Sequence, residues 1–246
     1  MNPIILIPAR LASTRLPGKP LALLRGVPMI VWVWRYARES GLGRVAVACA
    51  EREIAEVIRA EGGEAVLTDP AHPSGSDRIF EALQTLDPER RHDAVVNLQG
   101  DNPLLPRDRI EKVRKLLEDP VVDIGTLAAV ITDDAEARNP NVVKAVVSVP
   151  PGADHGRALY FTRATAPSGE GPLYHHLGIY SYRRAALERF VRLPPSPLEQ
   201  RERLEQLRAL EAGMHIEVGF VDSASRDINT PADLEWAERH LAESAP

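Results

Sequence analysis

The segment Ile4-Ile5-Leu6-Ile7-Pro8-Ala9-Arg10-Leu11-Ala12-Ser13-Thr14-Arg15-Leu16-Pro17-Gly18-Lys19-Pro20 decides how this chain is read. Ile4–Ile7 is an uninterrupted apolar run, the pattern of a strand buried on both faces. The polar stretch from Ala9 to Lys19 then carries three cations, two hydroxyls and one glycine. A backbone that turns at the end of a buried strand points several N–H groups into one concavity, and nearby cations complete an anion site. A triphosphate needs such a place. The segment is not a Walker loop: only Gly18-Lys19 matches, Pro20 stands where Ser or Thr is required, and P-loop kinase chemistry is disfavoured.

Working outward, helical spacing of apolar residues predicts a helix over Met29–Ser40, with further helices over Glu53–Ala60, Asp77–Leu86 and Arg107–Leu117. Arg44–Ala50, Glu64–Thr68 and Ala94–Leu98 read as strands between them. This alternation predicts an α/β sheet of mostly parallel strands joined by right-handed crossovers. The polar loops after Ile7, Ala50, Thr68 and Leu98 are then expected to share one crevice beyond the strands' carboxyl ends. The second half is mixed. Ile124–Val130, Val142–Val149, Ala158–Thr162, Leu177–Tyr182 and Met214–Val221 look extended, with helices over Arg183–Val191, Pro197–Ala212 and Pro231–Ala242. Pro150–Gly156 and Ala166–Gly171 read as hairpin tips. A single domain, 1–246, is expected, with a nucleotide-binding half at 1–125 and a sugar-acid and dimerisation half at 126–246.

Bulk properties narrow the function classes. The formal net charge of −5 over 246 residues gives no basic excess for nucleic acid or an anionic membrane, so anion binding has to come from local clusters. One cysteine, Cys49, excludes an intrachain disulfide and a cysteine-based zinc site, and reads as a small buried residue at a strand end. No stretch approaches the roughly 18 apolar residues of a membrane span, and the amino terminus lacks a signal-peptide pattern, so a cytoplasmic location is expected.

The fourth strand ends in Asn97-Leu98-Gln99-Gly100-Asp101-Asn102-Pro103. A carboxylate at that point suits magnesium, which is bound through one or two carboxylates plus phosphate oxygens. The plainer reading of Asp101 is a turn residue before Asn-Pro. In Thr68–Arg78, Ser74, Gly75, Asp77 and Arg78 offer donors and acceptors suited to a base or ribose, while Ser76 or Asp77 alone reads as a helix cap.

These pieces, in this order, resemble the 3-deoxy-manno-octulosonate cytidylyltransferases. The resemblance runs through IPARLASTRLPGKPLA, GVPMI, HPSGSDR, VVNLQGDNPLLP, NPNVVKAVV, ALYFTRA, HHLGIYSYR, SPLEQRERLEQLRALEAG and INTPADLEWA, over roughly residues 4–237. It implies a glycosyltransferase-A-like (Rossmann-like) three-layer α/β fold with a mixed, mostly parallel central sheet, and a homodimer. It also implies CTP and magnesium acting on a 2-keto-3-deoxy sugar acid for lipopolysaccharide or capsule. By that resemblance Ala9, Arg10, Ser13, Arg15 and Lys19 form the triphosphate loop, with Arg10 and Lys19 stabilising charge. Ser74, Asp77, Arg78 and Gln99 hold cytidine. Asp101 is the main magnesium ligand. Arg163, His176, Tyr180, Glu205 and Gln206 form the sugar-acid site, Arg163 facing the carboxylate because guanidinium binds it bidentately. Read without the family, His176 is a satisfied polar strand residue, Tyr180 and Tyr182 are core packing, and Glu205 lies on a solvated helix face. Asn141–Lys144 reads as mainly structural, with Lys144 in reach of a phosphate.

The chain departs from the family pattern at three places. Asn102 stands where Glu is usual, Ala48-Cys49-Ala50-Glu51 lacks two polar residues, and Asn229 replaces the Asp that is the second magnesium ligand. Asp227, two residues earlier on an extended segment, points to the same side and can supply the missing charge. A site of Asp101 with Asn229, Asp227 or both is therefore expected. These departures leave open a modified octulosonate, a nonulosonic acid of sialic or pseudaminic type, or a protein that binds CTP or sugar without catalysis.

Overall fold

The computed structural model describes residues 1–12, 16–106, 108–224 and 227–243. The chain clusters into two units, residues 1–111 with 225–246, and residues 112–224. The division expected at 125/126 thus falls earlier, and the carboxyl-terminal segment belongs to the first unit.

The first unit begins with β1 (Pro3–Ala9), buried along its whole length. A tiny hairpin, β2 (Leu23–Leu24) and β3 (Val27–Pro28), leads into α1 (Met29–Glu39). Then come β4 (Arg44–Cys49), α2 (Arg52–Ala60), β5 (Glu64–Leu67), α3 (Gly75–Leu86), β6 (Ala94–Asn97) and α4 (Asp108–Lys115). Within this unit the strand order is β5-β4-β1-β6, every pair parallel. The helices turn Ile30, Val33, Ile54, Ile58, Ile79 and Leu83 inward, which removes the faces of the apolar strands from water.

The second unit contains β7 (Ile124–Val130), α5 (Asp134–Arg138), β8 (Lys144–Ser148), β9 (His155–Thr162), β10 (Tyr174–Arg183), α6 (Arg184–Phe190), α7 (Pro197–Glu202), α8 (Gln206–Glu211) and β11 (Ile216–Val221). Its five strands pair in the order β10-β7-β11-β9-β8, and β8 pairs again with β10, so the pairings close a ring. Only β7–β11 is parallel. The sheet is mixed, as expected, but "mostly parallel" holds for the first unit alone. Two expected elements also change. The helix over Pro197–Ala212 is two helices, because Arg203 adopts a left-handed conformation (φ 56°) and ends α7. The Ala166–Gly171 segment is not a hairpin tip, because β9 and β10 each pair with β8.

Back in the first unit, α9 (Pro231–Glu243) starts with Thr230 Oγ1 accepting from Asp233 N–H and the Asp233 carboxylate accepting from Asn229 and Thr230 N–H. Ile228, Ala237 and Leu241 pack with Leu24 and Met29. That small core fixes residues 227–229 beside the strand ends.

Candidate functional site

In the first unit, the ends of β1, β5 and β6 open on a cleft of about 400 Å³ lined by Ala9, Arg10, Lys19, Ser74, Arg78, Gln99, Asp101 and Asn229, among others. Parallel strands create this place, since all their carboxyl ends face one way and the chain leaves each as a loop. Of the loops expected to meet here, that after β4 takes part by holding the first: Glu51 Oε2 accepts the Leu11 N–H at 3.0 Å. Gly100 relieves a close approach, for a Cβ there would stand 3.0 Å from the Pro8 carbonyl oxygen and 3.1 Å from Ile30 Cδ1. Gly18 takes φ 68° and starts the short turn that carries Lys19.

Lys19 Nζ lies 2.8 Å from Asp101 Oδ2 and 3.0 Å from Asn229 Oδ1. Ile228 N–H donates to the Asp101 carbonyl at 2.9 Å, so residues 227–229 run alongside Asp101-Asn102. Asp227 consequently meets Asn102, whose Nδ2 donates to it at 3.1 Å. Although Asp227 as a residue is exposed, its carboxyl is crowded by other groups; desolvation, and then the charge of Asp101, push it up to about 7. The result is a set of carboxylate and amide oxygens gathered around one ammonium. Hard oxygen donors of this kind suit magnesium. Among the described residues no three His, Cys, Asp or Glu side chains form a metal cluster, because two of these four positions are amides.

Arg78 is 2 % exposed. Its Nη1 donates to Thr68 Oγ1 at 2.6 Å and to the Asp69 carbonyl, while Nη2 has no hydrogen-bond partner among the described residues. Burial lowers its pKa, opposed by the charge of Glu51. A donor held dry and unspent at a cleft wall is suited to a ligand acceptor. Ser74, not Ser76 or Asp77, caps α3: its Oγ accepts Asp77 N–H at 3.2 Å and donates to Asp77 Oδ2 at 2.7 Å. Ser74 and Asp77 therefore serve the helix start, and Asp77 does not line the cleft. Ser13 and Arg15 lie outside the described residues. Sequence reasoning missed His72, which lines the cleft with its ring against the Glu81 carboxylate, and Thr68, which holds Arg78. Cys49 is buried as expected, and burial pushes its thiol up to about 11.

The sugar-acid candidates lie in the second unit. Arg163 is engaged by backbone: Nε donates to the Glu202 carbonyl at 2.9 Å, Nη1 to Pro140 at 3.1 Å and Nη2 to Arg203 at 3.4 Å. Its own N–H donates to Glu202 Oε2, and Thr162 Oγ1 donates to Oε1. Lys144 is fully buried and donates to the carbonyls of Asn139, Val142 and Arg163 at 2.6–3.0 Å. Burial lowers its pKa, and Arg163 lowers it further. It holds loops together and does not reach outward as the phosphate reading required. His176 is buried against Phe161 and Tyr180, with Nε2 3.0 Å from Thr126 Oγ1. Burial, and then His175, hold it down to about 3. Tyr180 is pushed well above the usual phenol range by burial. Glu205 is the cap residue of α8, half-buried rather than on a solvated face, and Gln206 is buried.

A family model described as cytidylyltransferase matches residues 4–216. A protein of Rhodopseudomonas palustris named 3-deoxy-manno-octulosonate cytidylyltransferase is 63% identical over 238 residues, covering 97% of each chain. The chain belongs to the 3-deoxy-manno-octulosonate cytidylyltransferase family. A Bradyrhizobium relative of the same name is 64% identical over 241 residues, covering 98% of each chain. A solved structure of CMP:2-keto-3-deoxy-manno-octonic acid synthetase complexed with CTP superimposes with a TM-score of 0.90, covers both chains fully and is 37% identical. The family is one of nucleotidyltransferases, and α/β architecture with a mixed sheet is common to the solved relative and this chain. Among the described residues no helix is long and apolar enough to cross a membrane.

Proposed function

We propose that this protein transfers CMP from CTP to the anomeric hydroxyl of 3-deoxy-manno-octulosonate. The hydroxyl oxygen bonds to the α-phosphorus, the bond from that phosphorus to the bridging oxygen breaks, pyrophosphate leaves, and the hydroxyl proton is lost. The observation that carries this reading is the convergence of Arg10, Lys19 and the dry Arg78 guanidinium with Asp101 and Asn229 on one cleft. Arg10 and Lys19 would face the charge that grows on the phosphates, and charges placed in advance stabilise it without reorganising. No protein nucleophile is needed, because positioning does most of the work.

Arg10 and Lys19, with Ser13 and Arg15 by resemblance, hold the triphosphate. Arg78 and Gln99 read the base or ribose, and the Ser74–Asp77 cap frames that wall. Asp101, Asn229 and Asp227 would hold magnesium: the Asp101 and Asn229 oxygens already gathered around Lys19 Nζ support the first two, and Asp227, bonded to Asn102, lies beside them with its carboxyl raised by desolvation and then by the charge of Asp101. When bound, the metal neutralises phosphate charge as a Lewis acid. In the second unit, Arg163, His176, Tyr180, Glu205 and Gln206 hold the sugar acid. Arg163 spends three of a guanidinium's five N–H groups on carbonyls, and the remaining two suit a carboxylate. Family membership supports a glycosyltransferase-A-like fold, a homodimer, and a cytoplasmic site where CTP is made, serving lipopolysaccharide or capsule.

The test is pyrophosphate release from CTP with magnesium, against a panel of 2-keto-3-deoxy sugar acids. Release is expected with the octulosonate. Silence with every acid, or release with UTP or ATP in place of CTP, would overturn the reading.

A further inference from the structure

β7 and β10 pair in register at His176↔Ala128 and Leu177↔Leu127, and then at Tyr180↔Thr126. Gly178 and Ile179 are thus extra residues on β10, a bulge that releases carbonyls from the ladder. Thr126, fully buried on β7, answers it. Its Oγ1 lies 2.8 Å from the Ile179 carbonyl, 3.2 Å from the Leu177 carbonyl and 3.0 Å from His176 Nε2.

A hydroxyl has one hydrogen, and a carbonyl oxygen only accepts. If Thr126 gave its hydrogen to His176, two carbonyl oxygens would face its lone pairs with nothing between them. The hydrogen therefore goes to the bulge carbonyls, and the Oγ1 lone pairs require a hydrogen on His176 Nε2. Burial keeps the ring neutral. A neutral ring with hydrogen on Nε2 has a bare lone pair on Nδ1. His176 is 9 % exposed, flanked by Phe161 and Tyr180, and Nδ1 has no hydrogen-bond partner among the described residues.

We infer that Thr126 is a positioning residue: it fixes His176 as the Nε2–H tautomer, so that Nδ1 accepts a hydrogen bond from a hydroxyl of the sugar acid. This rests on the proposed sugar role of His176, and it adds a polarity. The subsite takes a donor and turns away groups that only accept, including the substrate's carboxylate and a fluorine in place of the hydroxyl. The Leu177–Tyr180 bulge is the reason the tautomer is decided, because it supplies the competing acceptors.

The test is long-range ¹H–¹⁵N correlation NMR on the ¹⁵N-labelled whole protein, with the His176 signals assigned by their loss in His176→Gln. The wild type should show a neutral Nε2–H ring between about pH 6 and 8. Thr126→Val should shift it toward Nδ1–H and raise the KM for 3-deoxy-manno-octulosonate about tenfold, with the KM for CTP unchanged. Thr126→Ser should restore both. A neutral Nδ1–H ring in the wild type would overturn the inference, and so would a tautomer and sugar KM unmoved in folded Thr126→Val. Should that variant fail to fold, the wild-type tautomer and the Thr126→Ser kinetics decide. An Nε2–H ring that depends on Thr126 in a protein that turns over no sugar acid would instead defeat the proposed function and leave the tautomer standing.

Discussion

The two units use polar side chains in opposite ways. In the first, Arg10 and Asp101 follow the ends of parallel strands, where regular pairing has already satisfied the backbone, and Arg78 lies in the opening turns of α3 with Nη2 unspent; all three line one cleft. In the second, Lys144, Arg163 and Thr126 spend most of theirs on backbone carbonyls, because a ring of largely antiparallel strands with bulges and irregular loops leaves carbonyls without ladder partners. A buried unpaired carbonyl is costly, so a cation or hydroxyl beside it stabilises the fold first. Polar groups of the first unit line a cleft, while those of the second hold loops, and the neutral His176 ring presents what is left over.

Three measurements press on that contrast. The largest effect is expected from Asp101→Asn, which should lower pyrophosphate release about 1,000-fold through lost electrostatic stabilisation. Its stability to urea should move by less than about 1 kcal/mol, since the lost Lys19 pair is offset by relief from Asp227. Activity within tenfold of wild type would break the contrast on the first side. Lys144→Met should do the reverse, costing about 3 kcal/mol in urea unfolding because three carbonyls lose their donor; a loss under about 1 kcal/mol would show that the buried ammonium is dispensable. The third effect is pH-linked, and near neutral pH it is the smallest. His176 is held down to about 3, below its unfolded value of 6.5, so the unfolded chain takes up a proton that the folded chain refuses. Its share of stability is complete above about pH 6.5 and falls as pH drops toward 3, by up to about 1.4 kcal/mol per unit. His176→Gln should flatten that part of the curve, and an unchanged slope would place the charge-sensitive group elsewhere.

Much of the first unit was legible because its signals are local. A four-residue apolar run, helices at 3.6-residue spacing and a loop rich in cations each declare themselves within a short window, and parallel alternation puts their loops together. The second unit was less legible. The break at Arg203 and the bulge at Leu177–Tyr180 answer to neighbours distant in sequence: Arg203 is no glycine, and Gly178 sits inside a run that otherwise reads as an ordinary strand. Alternation alone did not separate the places of Asn229 and Asp227. The two side chains do approach the same strand end, yet Asn229 meets Lys19 while Asp227 meets Asn102.

The sequence alone determined the α/β pattern, the cation-rich loop after the first strand, the carboxylate just past β6 and the family. Each follows from residue types in short order along the chain. Only the tertiary structure decided that Ser74 is the residue that caps α3, that Lys144 is buried among carbonyls, that Arg163 keeps part of its fork, and that Thr126 dictates the face of His176. Those roles depend on which backbone groups lack partners, and that is set by strand register and bulges across the whole sheet rather than by any local run of residues.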